Sequence, residues 1–271
     1  MVSTKKRLIN FLDRKEKIAA KIKNRRLFVF LDYDGTCTPI VGAPQEAVLS
    51  ATMRATIQKL ARHYAIGIVS GRTIEDVRSK VRIDNIFYAG SHGFEIVDPA
   101  GNVLINKDAI RIRSTIDEVH RKLEERLKQV PGATIEHVKF TVSVHYRQVA
   151  PHDFPQVKAA VREILKEYSD LRTIMGKKVF VIRPKINWDK GKAVDLILKL
   201  LKFNKKRDFA IYVGDDLTDE DAFRSLRGRG AGILVAKEKN RPTKANYFVH
   251  DPDEVKKVLE FFIRQDGAAN S

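Results

Sequence analysis

Cysteine is almost absent from this 271-residue chain: Cys37 stands alone, so no internal disulfide can form and no thiolate set for zinc exists. One thiol suits a reducing compartment, and a cytoplasmic location is the expectation. No apolar run approaches the roughly 20 residues that span a bilayer, and the start, MVSTKKRLINFLDRKEKIAAKIKNRR, lacks the apolar stretch and small-residue cleavage site of a secretory signal. A membrane partner is therefore not expected. The 7 histidines show no HExxH spacing, which argues against a zinc hydrolase. A thiol phosphatase needs Cys-x5-Arg, and Ala43 stands near where that arginine would be. A nucleotide-binding P-loop needs Ser or Thr after Gly-Lys, and Gly191-Lys192 is followed by Ala193. GRGAG (228–232) does not match GxGxxG and reads as a loop before a strand.

Acid is scarce relative to base. The chain has 51 Lys plus Arg against 34 Asp plus Glu, a formal charge of +17. Polyanions are candidate partners for such a surface. The bases are scattered through helices and short runs such as KKR, KNRR and KFNKKR, and no zinc-finger or RNA-recognition signature accompanies them. A solvated basic exterior is the expected reading, with a nucleic-acid partner not expected and a single copy as the working state. A phosphorylated small molecule would also be drawn to it.

With 43% hydrophobic residues the chain can bury a sizeable core. Short apolar runs at 27–31, 65–69, 86–90, 209–213, 232–236 and 246–249 read as buried strands. Helical patterns lie between them, at 50–63 and 193–201, and a helix over about 4–24 opens the chain. Start signals agree: Thr73 precedes Asp76 by three, Thr218 precedes Asp221 by three, and Asp251-Pro252 opens a last helix. Alternating strands and helices predict an α/β fold, a doubly wound, mostly parallel sheet with helices on both faces. The middle breaks the rhythm. After the DPAGN turn come a helix near 108–129, the strand KFTVSVHYR with Thr141, Ser143 and His145 on a half-exposed face, a helix at 154–168, and LRTIM and KVFVIRP joined at Gly176-Lys177. The expected division is a core of 1–105 and 185–271 with a smaller α+β insert at 106–184.

Ligands of open α/β sheets collect beyond the carboxyl ends of the strands. Three such ends carry chemistry here: DYDGT after 27–31, SGR after 65–69 and GDDLTDED after 209–213; Lys190 of WDKGK opens the helix after the insert. Clustered carboxylates repel one another unless a cation neutralises them, and hard oxygen ligands suit Mg²⁺, which also takes a phosphoryl oxygen. Asp32 can attack phosphorus, and Asp34 can protonate the leaving oxygen and later activate water. Gly35 lets backbone N–H groups approach the phosphoryl group, while Ser70 and Lys190 supply a hydrogen bond and a positive charge. Each piece has a plainer use as well. DxDG can be an acidic turn, and Asp219, Glu220 and Asp221 can serve a helix N-terminus; Asp215 and Asp216, ahead of that helix, are harder to explain so.

DYDGT, SGR, DKG and GDDLTDED together resemble the four motifs of the haloacid dehalogenase superfamily of phosphohydrolases. That resemblance implies a core of this type, Mg²⁺ held by Asp32, the Asp34 carbonyl and Asp215, phosphate held by Ser70, Gly71 and Lys190, and Asp216 and Asp219 standing behind the metal ligands. Over roughly 27–262, DYDGTCTPIV, IVSGR, YAGSHGFEI, KFTVSVHYR, RPKINWDKGKA and YVGDDLTDEDAF resemble the trehalose-6-phosphate phosphatase family. The insert then resembles that family's cap, which closes over the sugar, and the likeness implies sugar or phosphate contacts for Arg72, His92, Glu136, Lys139 and Arg147. Two departures stand out. Cys37 replaces a common leucine, and Val181 stands where many relatives have a glutamate that contacts sugar hydroxyls. Phosphatases of glucosylglycerol phosphate or sucrose phosphate remain open within the enzyme class, and a basic nucleic-acid-binding protein on this fold outside it.

Overall fold

In a computed structural model, residues 8–176, 178–237 and 241–269 are described, and they form two compact units, Met1–Val103 with Trp188–Ser271, and Leu104–Asn187. The chain begins with a two-residue strand β1 (Ile9–Asn10), helix α1 (Lys15–Ile22) and strand β2 (Arg26–Leu31). Then come α2 (Ala51–Ala61), β3 (Ala65–Val69), α3 (Ile74–Val81), β4 (Phe87–Gly90), β5 (Glu95–Val97) and β6 (Val103–Ile105). The second unit holds α4 (Lys107–Leu127), β7 (Thr134–Val138), β8 (Thr141–His145), α5 (Phe154–Glu167), β9 (Leu171–Gly176) and β10 (Val179–Pro184). The chain closes with α6 (Lys190–Leu200), β11 (Asp208–Gly214), α7 (Asp219–Ser225), β12 (Gly230–Val235), β13 (Tyr247–Val249) and α8 (Pro252–Ala269).

The sheet of the first unit runs β1-β13-β12-β11-β2-β3-β4-β5-β6. From β1 to β4 the pairs are parallel, and β4–β5 is antiparallel. Strand alternation splits the apolar runs between two faces. Val29, Leu31, Ile66, Ile68, Ile211 and Val213 pack against α1, α2, α3 and α8, while Phe28, Phe30, Ala210 and Tyr212 pack against α6 and α7. Both faces are covered, as a parallel sheet requires. Each large apolar side chain so buried contributes about 1.5–3 kcal/mol, and this anchors the strand ends that carry the site.

The helix expected over 4–24 is shorter. Residues 4–7 lie outside the described part; Ile9–Asn10 pair in parallel with β13, and the helix starts only at Lys15. Phe11 between them is wholly buried against Tyr247, Phe261 and Phe262, so long-range packing overrides the local helical pattern. Cap signals hold at α3, where Thr73 Oγ1 accepts from Asp76 N at 3.1 Å, and at α8, where Asp251 Oδ1 accepts from Glu254 N at 2.9 Å. At α7 the Thr218 hydroxyl instead donates to Asp216 Oδ2 at 3.1 Å.

The second unit has a four-stranded antiparallel sheet, β7-β8-β10-β9, backed by α4 and α5 through Ile116, Leu123, Val142, Val157 and Phe180. Strand β8 is not half-exposed as its alternation suggests. Thr141 and Ser143 are buried, because β8 is an inner strand hydrogen-bonded on both sides, to β7 and β10. Lys177 of the expected Gly176-Lys177 turn lies outside the described residues. Among the described residues no helix is long and apolar enough to cross a membrane.

Candidate active site

The site is built at the carboxyl ends of β2, β3 and β11. Parallel register sets Leu31 level with Val213 and with Ile68, so the residues just beyond, Asp32, Gly214 and Val69, share one edge. Asp32 N donates to Val213 O at 2.9 Å, which continues the ladder one residue past the strand and fixes the first aspartate. Lys190 arrives from across the sequence because Asp189 caps α6, its Oδ1 accepting from Lys192 N at 2.9 Å, so that Lys190 is the first helical residue.

Lys190 Nζ donates to Asp32 Oδ1 at 3.0 Å and to Asp219 Oδ1 at 2.7 Å, with all three side chains buried. Tyr212 OH donates to the same Asp219 oxygen at 2.7 Å, and Asp216 N donates to Asp219 Oδ2 at 2.8 Å. Asp219 thus accepts three hydrogen bonds over both oxygens and serves to hold the lysine. It is more than the helix-terminal acid its position suggests, and the glycine before it is the signal: a Cβ on Gly214 would lie 2.4 Å from the Asp219 carboxyl carbon. Burial pushes the Asp32 carboxyl well above the usual carboxylate range, with Lys190 opposing and Asp219 and Asp215 adding to the rise. Burial also works against the Lys190 charge, but Asp219 and Asp32 outweigh it and keep the ammonium protonated.

Asp32, Asp215 and Asp219 each place a carboxylate oxygen within 4.8 Å of the others. Asp215 is pushed up to about 7, first by burial and then by Asp219 and Asp216. Its Oδ1 is buried and takes no hydrogen bond among the described residues. Gly35, at φ +75°, passes so close that a Cβ there would sit 2.3 Å from Asp215 Oδ2. Crowded, under-satisfied carboxylate oxygens beside a bare backbone are a donor set of the hard kind that divalent cations prefer. Asp219 has both oxygens engaged, so Asp32 and Asp215 are the carboxylates that fit a cation.

Asp34 projects elsewhere. Its two oxygens accept from Arg72 Nε and Nη2, both at 2.7 Å, and Arg72 Nη1 donates to Asp76 Oδ2 at 2.6 Å. Arg72, expected to contact substrate, has its fork between Asp34 and Asp76; Asp76 lies only four residues along the chain, but its place three after Thr73 reads as a helix cap and hides this second contact. Ser70 is buried, and its Oγ accepts from Arg72 N at 3.1 Å. His92 N donates to Ser70 O at 2.9 Å, and a Cβ on Gly71 would stand 3.0 Å from the His92 ring, so the SGR and GSHG turns are one assembly. Trp188, the sole tryptophan, donates from Nε1 to Gly93 O at 2.8 Å and ties this assembly to the start of α6. Cys37 is buried, its thiol donating to Asp32 O at 3.1 Å, and burial raises its pKa beyond reach of thiolate chemistry.

Three other predicted residues belong to the second unit. Glu136 is exposed and accepts from or donates to His145 Nε2 at 3.1 Å according to protonation, Lys139 lies over the Phe140 ring, and Arg147 is exposed. Register puts Glu136 opposite Ser143 and Ser143 opposite Val181, so the three share a face of the sheet.

Comparison with known proteins agrees with this architecture. The family model described as trehalose-phosphatase matches residues 30–253. A maize protein named trehalose 6-phosphate phosphatase RA3 is 41% identical over 268 residues, covering 93% of this chain and 74% of the relative. Trehalose-phosphate phosphatase B of Arabidopsis thaliana is 40% identical over 256 residues, covering 90% of this chain and 68% of its own. The solved structure of a trehalose-6-phosphate phosphatase related protein superposes with TM-score 0.77 at 26% identity, covering 90% of this chain and all of that one. With DYDGT, SGR, DKG and GDD assembled on one sheet edge and the match running through both units, the chain belongs to the trehalose-phosphatase family.

Proposed function

We propose that the protein hydrolyses trehalose 6-phosphate to trehalose and inorganic phosphate, with Mg²⁺ as the cation. The observation that carries this reading is the buried Asp32–Lys190–Asp219 chain beside Asp215, in a member of this family. Mg²⁺ would be held by Asp32, Asp215 and the Asp34 carbonyl, where its charge would offset the carboxylates and the incoming phosphoryl oxygens. Lys190 keeps Asp32 in one position and lends it positive charge. An Asp32 oxygen attacks phosphorus as the bond from phosphorus to the sugar oxygen breaks, and a proton from Asp34 goes to that oxygen. Asp34, now anionic, takes a proton from water, whose oxygen attacks phosphorus and frees Asp32 with release of phosphate. Ser70, Gly71 and Lys190 bind the phosphoryl oxygens, and Asp216 sits behind the cation ligands. Glu136, Lys139 and Arg147 of the second unit, acting as a cap, together with His92, recognise the sugar; the basic surface favours a dianionic substrate. The cytoplasm is the compartment that fits a lone thiol, and a single copy suffices for this chemistry.

A second reading rests on Val181. It stands in register with Ser143, itself opposite Glu136, and a valine there offers sugar hydroxyls no acceptor, which favours a different sugar phosphate. Phosphate release from trehalose 6-phosphate, sucrose phosphate and glucosylglycerol phosphate decides between them. The expected result is the highest kcat/KM on trehalose 6-phosphate, loss of turnover in chelator with recovery in Mg²⁺, and loss of roughly 10⁴-fold or more in Asp32→Asn, which keeps its fold. A preference for another sugar would keep the chemistry and change the substrate. Retained activity in Asp32→Asn would overturn the mechanism.

A further inference from the structure

The α3 residues that follow the SGR turn form a ladder of alternating charge that ends on the site. Lys80 Nζ donates to Gln45 O at 3.2 Å and lies 4.0 Å from Asp76 Oδ1; Asp76 Oδ2 accepts from Arg72 Nη1 at 2.6 Å; Arg72 Nε and Nη2 hold both oxygens of Asp34. The guanidinium also lies over the Tyr33 ring, 5.5 Å from its centroid, and Tyr33 is fixed by its hydroxyl donating to Ala47 O at 2.9 Å. Arg72 is largely buried, with 11% of its side chain exposed, whereas Asp34 and Asp76 remain 45% and 41% exposed. A buried fork between two acids is fixed in both position and plane.

We propose that Asp76 and Arg72 are positioning residues for Asp34: Asp76 anchors the guanidinium, and the guanidinium sets the direction of the Asp34 carboxyl. The inference rests on the reading of Asp34 as the group that serves the leaving sugar oxygen. Each Asp34 oxygen accepts one Arg72 N–H and keeps a second lone pair for the proton; protonation weakens the Arg72 bond on that oxygen, so the other must keep the carboxyl aligned. Without Asp76 the guanidinium would lose the hydrogen bond on its Nη1 side and would be freer to follow Asp34. Held also by Asp76 on the rigid first turn of α3, it stays, and Asp34 pivots about a fixed point. Misplacement of a reacting group by a fraction of an ångström to 1 Å costs one to two orders of magnitude in rate, so a loss on the order of tenfold is expected when the anchor is removed.

An acid in the first turn of a helix also favours the helix dipole, so the test must separate positioning from helix stability. The proton that Asp34 supplies is needed when the leaving group is a sugar alkoxide and is dispensable when it is p-nitrophenolate, a far weaker base. In kcat/KM, which reports the steps through departure of the leaving group, Asp76→Ala should lose about tenfold with trehalose 6-phosphate and stay within about twofold of wild type with p-nitrophenyl phosphate. Asp76→Asn, which keeps an oxygen acceptor at the same turn, should lie between on the first substrate. Equal losses on both substrates, or no loss on either, would overturn the proposal, as would a loss that simply tracks the fall in Tm across the two variants. Asp34→Asn separates this from failure of the underlying reading: if Asp34→Asn also spares trehalose 6-phosphate turnover, the acid role is wrong; if it collapses turnover while Asp76→Ala does not, only the positioning role is.

Discussion

Lys190 in the first unit and Lys122 in the second each bind two acids, yet the surroundings make them different objects. Lys190 lies 3.0 Å from Asp32 and 2.7 Å from Asp219, with side-chain exposures of 3%, 7% and 0%. Lys122 lies 3.3 Å from Glu118 and 2.9 Å from Glu167, with exposures of 38%, 44% and 37%. Distances are alike, so the contrast lies in solvent. In low dielectric, removing one charge strands the others; at the surface, water takes over the lost contact. The first unit therefore carries a preorganised electrostatic device, and exposed helices of the second carry replaceable ion pairs.

The largest effect belongs to Lys190→Met, which keeps the apolar stem and deletes the charge. Asp32 and Asp219 would be left as adjacent buried anions, and breaking a buried pair this way costs about 3–5 kcal/mol. Urea unfolding of the metal-free protein should show that loss, and kcat should fall roughly 10²–10³-fold. Near-normal stability would mean that water reaches the pair and that the contrast with Lys122 is smaller than burial implies.

Asp215 gives an intermediate effect with a definite sign. Its carboxyl, raised to about 7 in the folded protein, binds a proton more tightly there than in the unfolded chain, where it titrates near 3.9. Its contribution is thus greatest below pH 4 and is lost as pH rises from about 4 to 7. Compared with Asp215→Asn in chelator, the wild type should lose several degrees of Tm between about pH 5 and pH 8. Added Mg²⁺ should erase most of that difference at the higher pH. Parallel pH profiles for the two proteins would show that Asp215 is not under the strain its neighbours impose.

The same contrast explains what could be read ahead of the structure. Strands β2, β3 and β11 are continuous apolar runs buried on both faces, and the acids at their ends follow directly in the chain, so DYDGT, SGR and GDD were legible as one edge. Lys190 was legible for a similar reason, being the first residue of a capped helix. The holders of these groups were not. Tyr212 reads as one more core aromatic and Asp219 as a helix-terminal acid, and only tertiary packing shows each to be bound to a site residue; Asp76 reads as part of a capping box, and although it is only four residues from Arg72, the capping pattern does not show that it also takes the guanidinium. Strand β1 escaped because its two residues pair with β13, over two hundred positions away, and β8 because alternation reports amphipathicity and cannot tell an inner strand from an edge.

The smallest expected effect tests the surface side of the comparison. Glu167 binds Lys122 and Arg126, and those two bases, Arg126 first, hold its carboxyl below the usual range. A depressed carboxylate contributes stability that is present above about pH 4.3 and disappears as pH falls through the folded value. The pair sits in water, where side-chain ordering and ionic screening offset most of the attraction. Glu167→Gln should therefore shift Tm by less than about 2 °C at neutral pH. The shift should shrink at about 0.5 M salt and again as pH falls below about 4.3, measured by differential scanning calorimetry. If Glu167→Gln instead approaches the cost of Lys190→Met and resists salt, the Lys122 cluster is a second rigid network despite its exposure. Burial would then be the wrong variable for dividing the two units.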